Sequence, residues 1–479
     1  MNSPGSFPER ETKTKAHPLA IVLLGFVLSI MLLQVMLVRR SSPSKVAEPP
    51  VLSDAGRKSL PVRVKEPLPT PAQPQKETPA LHLKLALKRP LGELAADQPL
   101  KTQQILCRRL QREADCWTRL GWLWTGRATR TQHRPALVSA RASGLFALSL
   151  APGYEKALWL LADVNLRLQR PREALKAVQQ LLHTKPSLAK AWDVVFEAQM
   201  ERGKLALAKG ALQTLRSLRN DVSTALKAAR LQWMQGNSKA ALTTLEKALQ
   251  TASVKKSKRW KIRLMAEMAR IYWAEGKWKK AGDFWNQITA LKESHATAQL
   301  GLAMLAARKR EWNSADSHLH LSDRNTSQHL LLHARVRAGM GDVGGAGDKG
   351  KQALRQARFE SPLNLTIALS VQGKPLWLLL ATLKQELKRR PNNPFVQDAL
   401  AWLYYKDKKY KKALKASQKA MFWKTRQASF WFHRGAILMK LGQKKAGRAW
   451  LKKALKLNDS FDTDKARLAQ TLLKATDLP

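Results

Sequence analysis

The chain has 479 residues and carries 85 Lys plus Arg against 35 Asp plus Glu, a formal charge of +50 at pH 7. That length accommodates several domains or one extended array. The charge excludes the near-neutral surface of an ordinary soluble enzyme and predicts salt-dependent attraction for acidic partners, anionic lipid head groups or anionic polymers. With only two cysteines, neither a disulfide scaffold nor a four-cysteine zinc site can be built.

A short tail, 1–18, precedes LAIVLLGFVLSIMLLQVMLV at 19–38, which has no charged residue and only Ser29 and Gln34 as polar side chains. Roughly 20 apolar residues match the hydrocarbon thickness of a bilayer. Arg39 and Arg40 follow directly, where a cleavable signal would have small residues, so the segment is expected to be a single transmembrane anchor. Arg10, Lys13 and Lys15 on one side balance Arg39, Arg40 and Lys45 on the other, and the positive-inside rule leaves the orientation open. Residues 39–100 are rich in proline (EPLPTPAQPQKETP) and poor in aromatics. Such a segment buries too little apolar surface to fold and is expected to be a semi-stiff disordered tether.

Beyond 100 the pattern is helical, with 101–153 reading as a degenerate first unit. Cys107 and Cys116 would lie on opposite faces of one continuous helix, so a bridge between them requires a break; the sequence leaves their pairing open. From 154 to 459 small residues recur at Ala174, Ala208, Ala241, Ala281, Ala315, Ala346 and Ala413. That period predicts an all-α solenoid of stacked helix pairs, about nine units with some degenerate, closed by a capping helix over 460–479.

The units resemble the tetratricopeptide repeat (TPR). The signature positions are filled by Leu158, Leu161, Ala162, Ala174, Val178 and Pro186, then by Trp192, Val195, Gly203, Ala208 and Leu212. Tyr272, Gly276, Trp278, Ala281 and Trp285 fit in a fourth unit, and Leu400, Ala401, Tyr404, Tyr410, Ala413 and Ala420 near the end. Trp431, Gly435, Leu438, Gly442 and Ala454 repeat the spacing. The resemblance implies a right-handed superhelix whose first helices line a concave groove. Its ligand-contacting positions carry over to Lys156, Trp159 and Arg167; Arg263, Arg270 and Trp273; Phe395, Asp398, Trp402, Tyr405 and Lys406; and Phe432, Met439 and Lys440. A groove mixing aromatics with cations suits an extended acidic peptide, a sugar or nucleic acid. Trp402 and Ala436 stand where the chaperone-binding members have a clamp asparagine, which argues against capture of a free C-terminal carboxylate by that route.

The closing stretch looks like the C-terminal pair common in bacterial envelope tetratricopeptide proteins, some of which serve pilus biogenesis or polysaccharide export. The implied role is a membrane-anchored scaffold for protein–protein interaction, single-pass in the bacterial inner membrane with a periplasmic array. Binding of an acidic polysaccharide or nucleic acid through the basic surface is the alternative. An enzyme is not expected, nor is a cofactor. GMGDVGGAGDKGKQ, 339–352, approaches a phosphate-binding loop, but HLLLHARVRA before it has helical spacing and Gln352 replaces the magnesium-holding hydroxyl. His329 and His333 share a helix face without the glutamate of a zinc protease, with His318 and His320 just before, and read as ordinary packing or surface residues. KDKKYKKALKASQKA, 406–420, reads as the solvated side of a helix.

Overall fold

The computed structural model describes residues 98–131, 134–322, 326–360, 362–371 and 373–474. All belong to the second of two compact units, Pro71–Pro479. The expected anchor, 19–38, and the tether up to residue 97 lie outside the described residues; among those described, no helix is long and apolar enough to cross a membrane.

Every regular element described is a helix. A lone α1 (Gln98–Arg109) precedes the pair α2 (Ala114–Thr131) and α3 (Arg134–Leu150). Then come α4 (Glu155–Arg167) with α5 (Pro171–Thr184), α6 (Ala189–Arg202) with α7 (Leu205–Leu218), and α8 (Val222–Met234) with α9 (Ser238–Leu249). A single turn, α10 (Ala252–Lys255), leads to α11 (Lys258–Ala274) with α12 (Trp278–Leu291), α13 (Ala296–Lys309) with α14 (Trp312–Leu321), and α15 (Ser327–Gly339) with α16 (Val343–Glu360). The last pairs are α17 (Pro362–Val371) with α18 (Leu376–Arg389), α19 (Pro394–Lys406) with α20 (Tyr410–Met421), and α21 (Ala428–Lys440) with α22 (Lys444–Leu457); α23 (Thr463–Lys474) follows.

The pairs close because a small residue near the start of each second helix lets the first approach. Ala174, Ala208, Ala241, Ala281, Ala315 and Ala413 are fully buried. Ala346 is only half-buried, and in the last pair Gly447 takes the place, its would-be Cβ 3.0 Å from the Gly435 carbonyl. Large side chains such as Trp285, Phe196 and Leu264 fill the space between successive pairs, so each pair is stable only when stacked. Cys107 and Cys116 are joined by a disulfide across the break between α1 and α2. Reducing it is expected to destabilise this N-terminal end by about 2–4 kcal/mol, checked by the denaturant midpoint with and without reductant; a Cys107→Ser chain should show no further response.

The array returns on itself. The turns at 390–393, 423–426 and 457–459, each following a helix pair, meet the inter-helix turns of the pairs five units earlier, at Gly203, Gly236 and Gly276. A Cβ on these three glycines would stand 2.4 Å from the Asn392 carbonyl oxygen, 2.5 Å from that of Lys424 and 2.9 Å from that of Leu457. All three have positive φ (77°, 84° and 71°), yet Gln169, Arg310 and Lys408 adopt positive φ at equivalent turns without being glycine. Backbone shape alone therefore does not demand glycine here; close approach does. At each contact a buried polar side chain donates to a carbonyl in the last turn of a first helix, where carbonyls have no intrahelical partner. Asn393 Nδ2 reaches Glu201 O (3.5 Å), Thr425 Oγ1 reaches Met234 O (2.8 Å) and Asn458 Nδ2 reaches Trp273 O (3.1 Å). Ion pairs Arg390–Glu201 (2.5 Å), Arg426–Glu275 (3.5 Å) and Arg308–Asp459 (3.6 Å) flank them.

Candidate functional site

The groove positions fall into three groups. Lys156, Arg167, Arg263, Lys406 and Lys440 are exposed, but several are held by the chain itself. Lys156 and the Tyr154 hydroxyl both donate to Asp115 (2.9 and 2.7 Å), and these hydrogen bonds hold the Asp115 carboxyl down at about 2. Arg167 pairs with Asp163 (2.8 Å) and donates to Thr129 (2.7 Å), Arg263 lies over Trp260 (5.1 Å) and Lys406 donates to Ser370 (3.4 Å).

A second group is half-buried in packing. Trp159 lies against the core of its neighbouring pairs. Trp273 meets Trp278 edge-on (4.7 Å) and Trp285 (5.5 Å). Trp402 stacks on Tyr405 (4.7 Å) and His433 (4.4 Å), and Met439 packs in the cluster around them. Phe395 stacks with Trp233 of the earlier coil (6.5 Å) and meets Phe430 edge-on. Arg270 lies over Trp233 (4.1 Å) and pairs with Glu267.

The third group is a correction. Phe432 is 0% exposed, covered by Phe461 (5.7 Å) ahead of α23, and Asp398 is buried, accepting from His433 Nδ1 (2.9 Å). Neither is open to a ligand, because the residues leading into α23 fill that end of the groove.

Further in, α6, α8 and α11 face α17–α19 around a cavity of about 370 Å³. Its charges are paired: Arg230 with Glu197 (2.7 Å) and Glu201 (3.7 Å), Arg390 with Glu201, Arg270 with Glu267. Carboxylates of this chain already neutralise the groove arginines there.

A larger cleft of about 800 Å³ opens where the two coils meet. Glu275 and Lys277, in the turn after α11, form one wall. α20, α21 and α22 with the 422–426 turn form the other. Its apolar floor is Met421, Trp431, Trp450 and Leu457, with Phe422 exposed at the mouth; its rim is Lys277, Lys424, Arg426, Arg434, Lys453 and Lys456. Glu275 alone supplies negative charge to this lining. Burial pushes its carboxyl up, but hydrogen bonds from Lys277 and Ser238 and the charges of Lys277 and Arg426 outweigh this, so its pKa is lowered and it stays ionised. Arg434 and Lys453 lie over Trp450 (5.4 and 4.9 Å). Burial lowers the pKa of Arg434, whose Nε has no hydrogen-bond partner among the described residues. The sequence reading did not find this cleft. Its available signal was the turn glycines at 203, 236 and 276 matched by Asn393, Thr425 and Asn458 in the turns that follow the pairs five units later.

Two other motifs resolve differently. Asp316, His320 and His333 come within 4.8 Å of one another, a grouping in which His320, not His329, joins His333. The Arg337 guanidinium reaches both Asp316 (3.1 Å) and His320 (3.2 Å), supplying the positive charge that offsets the carboxylate. His329 is hydrogen-bonded with Thr326 (2.8 Å) and Ser322 (3.0 Å), and His318 with Gln299 (2.8 Å). In the glycine-rich 339–352 segment only 340–342 form the α15–α16 turn and 343–352 are the start of α16; the turn is entered from a helix and lacks the strand that a phosphate loop requires. Lys409, Lys411, Lys412 and Lys415 are exposed on α20 and its leading turn, outside the cleft lining.

Burial lowers the pKa of His433, His333 and His318, with Asp398 and Asp316 opposing it at the first two. A folded pKa below the ordinary value means that the unfolded chain binds protons first as pH falls. Stability should therefore be full above about pH 7 and decline on acidification through the ordinary histidine range. Thermal midpoints at pH 7.5 and 5.5 check this, and His433→Gln should flatten the difference.

Residues 155–273 match the model described as the TT21 fifth ARM repeats domain, and 428–461 match the tetratricopeptide repeat model. No curated protein sequence matches the chain. Among solved structures, Pseudomonas aeruginosa pilF is 18% identical, with 42% of this chain and 90% of that chain covered and a TM-score of 0.34. PilW, a type IV pilus biogenesis factor, is 16% identical, with 45% and 98% covered and a TM-score of 0.35. The Cut9–Hcn1 complex is 14% identical, with 79% and 84% covered and a TM-score of 0.42. In this chain helix pairs follow one another among the described residues of 155–457, and the last of them, which falls in the stretch 428–461 that matches the family model, is a tetratricopeptide repeat.

Proposed function

We propose that the chain is a scaffold tethered to the bacterial inner membrane by 19–38, its array periplasmic, holding partner proteins during assembly of an envelope system for pili, secretion or polysaccharide export. The observation that carries the scaffold role is the stacked repeat array with a cleft built between its coils. The Cys107–Cys116 disulfide supports an oxidising compartment. Alkaline phosphatase fused after Pro99 is expected to be active, and inactive when fused ahead of the anchor; the reverse pattern overturns the periplasmic placement.

The charge of +50 favours a second reading, an anionic polysaccharide or nucleic acid on the solenoid surface. Affinity falling steeply and log-linearly with salt, indifferent to aromatic substitutions, supports the polymer. Affinity that survives moderate salt and depends on aromatic side chains supports a protein partner.

A further inference from the structure

We propose that the cleft between the coils is a docking site for an acidic, amphipathic polypeptide segment of a partner protein. The proposal rests on the scaffold reading and goes beyond it by naming a surface away from the groove and the chemistry of its occupant. Six cations rim the cleft against one carboxylate, and that carboxylate is already shared by Lys277 (2.8 Å) and Arg426 (3.5 Å). Four cations, Lys424, Arg434, Lys453 and Lys456, thus line the cavity without a carboxylate of the described residues in an ion pair with them, unlike the paired arginines of the inner cavity.

The floor decides among acidic ligands. Met421, Trp431 and Leu457 are apolar, and Phe422 at the mouth is 80% exposed, a hydrophobic side chain standing in water beside cations. A polyuronate has no hydrophobic side chain to cover it. The Trp450 ring, the natural platform for a sugar, is already engaged by Arg434 and Lys453. A polypeptide alternating Asp or Glu with apolar residues satisfies rim and floor together, with the apolar contacts supplying affinity and the charges setting encounter and register. A second copy of this chain, itself strongly basic, is disfavoured.

The test uses the full chain in detergent micelles, titrated into three fluorescent probes: a peptide alternating glutamate with leucine, its leucine-to-serine counterpart, and an oligogalacturonate of equal charge. The first should bind about tenfold tighter than the others. Phe422→Ser, at an exposed position, should erase most of that advantage. Lys453→Gln/Lys456→Gln should weaken it about tenfold, while Lys445→Gln/Lys452→Gln, removing the same charge outside the cleft, should not. Equal binding of the oligogalacturonate with no effect of Phe422→Ser overturns the polypeptide assignment in favour of an acidic polysaccharide. Peptide binding untouched by the cleft variants, or no binding of any probe, overturns the site itself. Neither result touches the scaffold reading, which falls separately if every partner binds with a steep salt dependence indifferent to aromatic substitutions.

Discussion

Gly236→Ala is expected to destabilise the array by about 2–5 kcal/mol, whereas Gly341→Ala should cost only about 1–2. Both glycines have a φ of 84°, so the left-handed backbone penalises alanine equally. They differ in surroundings: a Cβ at 236 would stand 2.5 Å from the Lys424 carbonyl oxygen, and one at 341 would meet nothing within 4 Å. The excess isolates the contact between coils. Because a repeat array can open at one interface without unfolding, the variant should also enlarge the molecule in small-angle scattering while retaining its helical circular dichroism. Equal costs at the two positions would mean that the coils do not touch in solution.

Arg390→Ala should be similarly damaging, by about 3–5 kcal/mol, through a different mechanism. Arg390 pairs with Glu386, which is 0% exposed, and reaches across the coil junction to Glu201 at 2.5 Å. Truncation leaves the Glu386 carboxylate buried without a counter-charge. Glu386→Gln in the same chain should recover a large part of the loss, since it removes the orphaned charge. Glu201→Gln alone, which leaves the buried pair intact, should cost only about 1–2 kcal/mol, the low end for a charged hydrogen bond at a partly exposed site. Denaturant midpoints of the three variants separate these terms, and an Arg390→Ala cost under about 1 kcal/mol would show that the pair does not form.

The helix pairs were legible because their cause is local. Ala174, Ala208, Ala241, Ala281, Ala315 and Ala413 recur at the repeat spacing, and each is fully buried where two helices of one pair cross. Ala346 misled in degree only, in a unit whose second helix opens VGGAGDKG and packs loosely at its start. The site was less legible because it depends on what lies several pairs away. The family frame assigns groove positions as though the concave face were open. Here Phe461 covers Phe432, and His433 and Asp398 close over one another. The inner arginines find carboxylates on neighbouring first helices. Glu275 and Trp450, opposite walls of one cleft, are far apart in sequence, and only the superhelical pitch brings them together. Pitch sums small rotations between pairs, and no single residue encodes it.

The most direct measurement of coil closure is amine crosslinking with a short reagent on dilute full-length chain, read by mass spectrometry. Lys277 lines the same cleft as Lys424, Lys453 and Lys456, and intramolecular links from Lys277 to these lysines are predicted to be prominent and to fade in Gly236→Ala. Links from Lys277 confined to lysines of its own and adjacent pairs, such as Lys309, with none reaching 424–456, would contradict the closed superhelix and the cleft built on it.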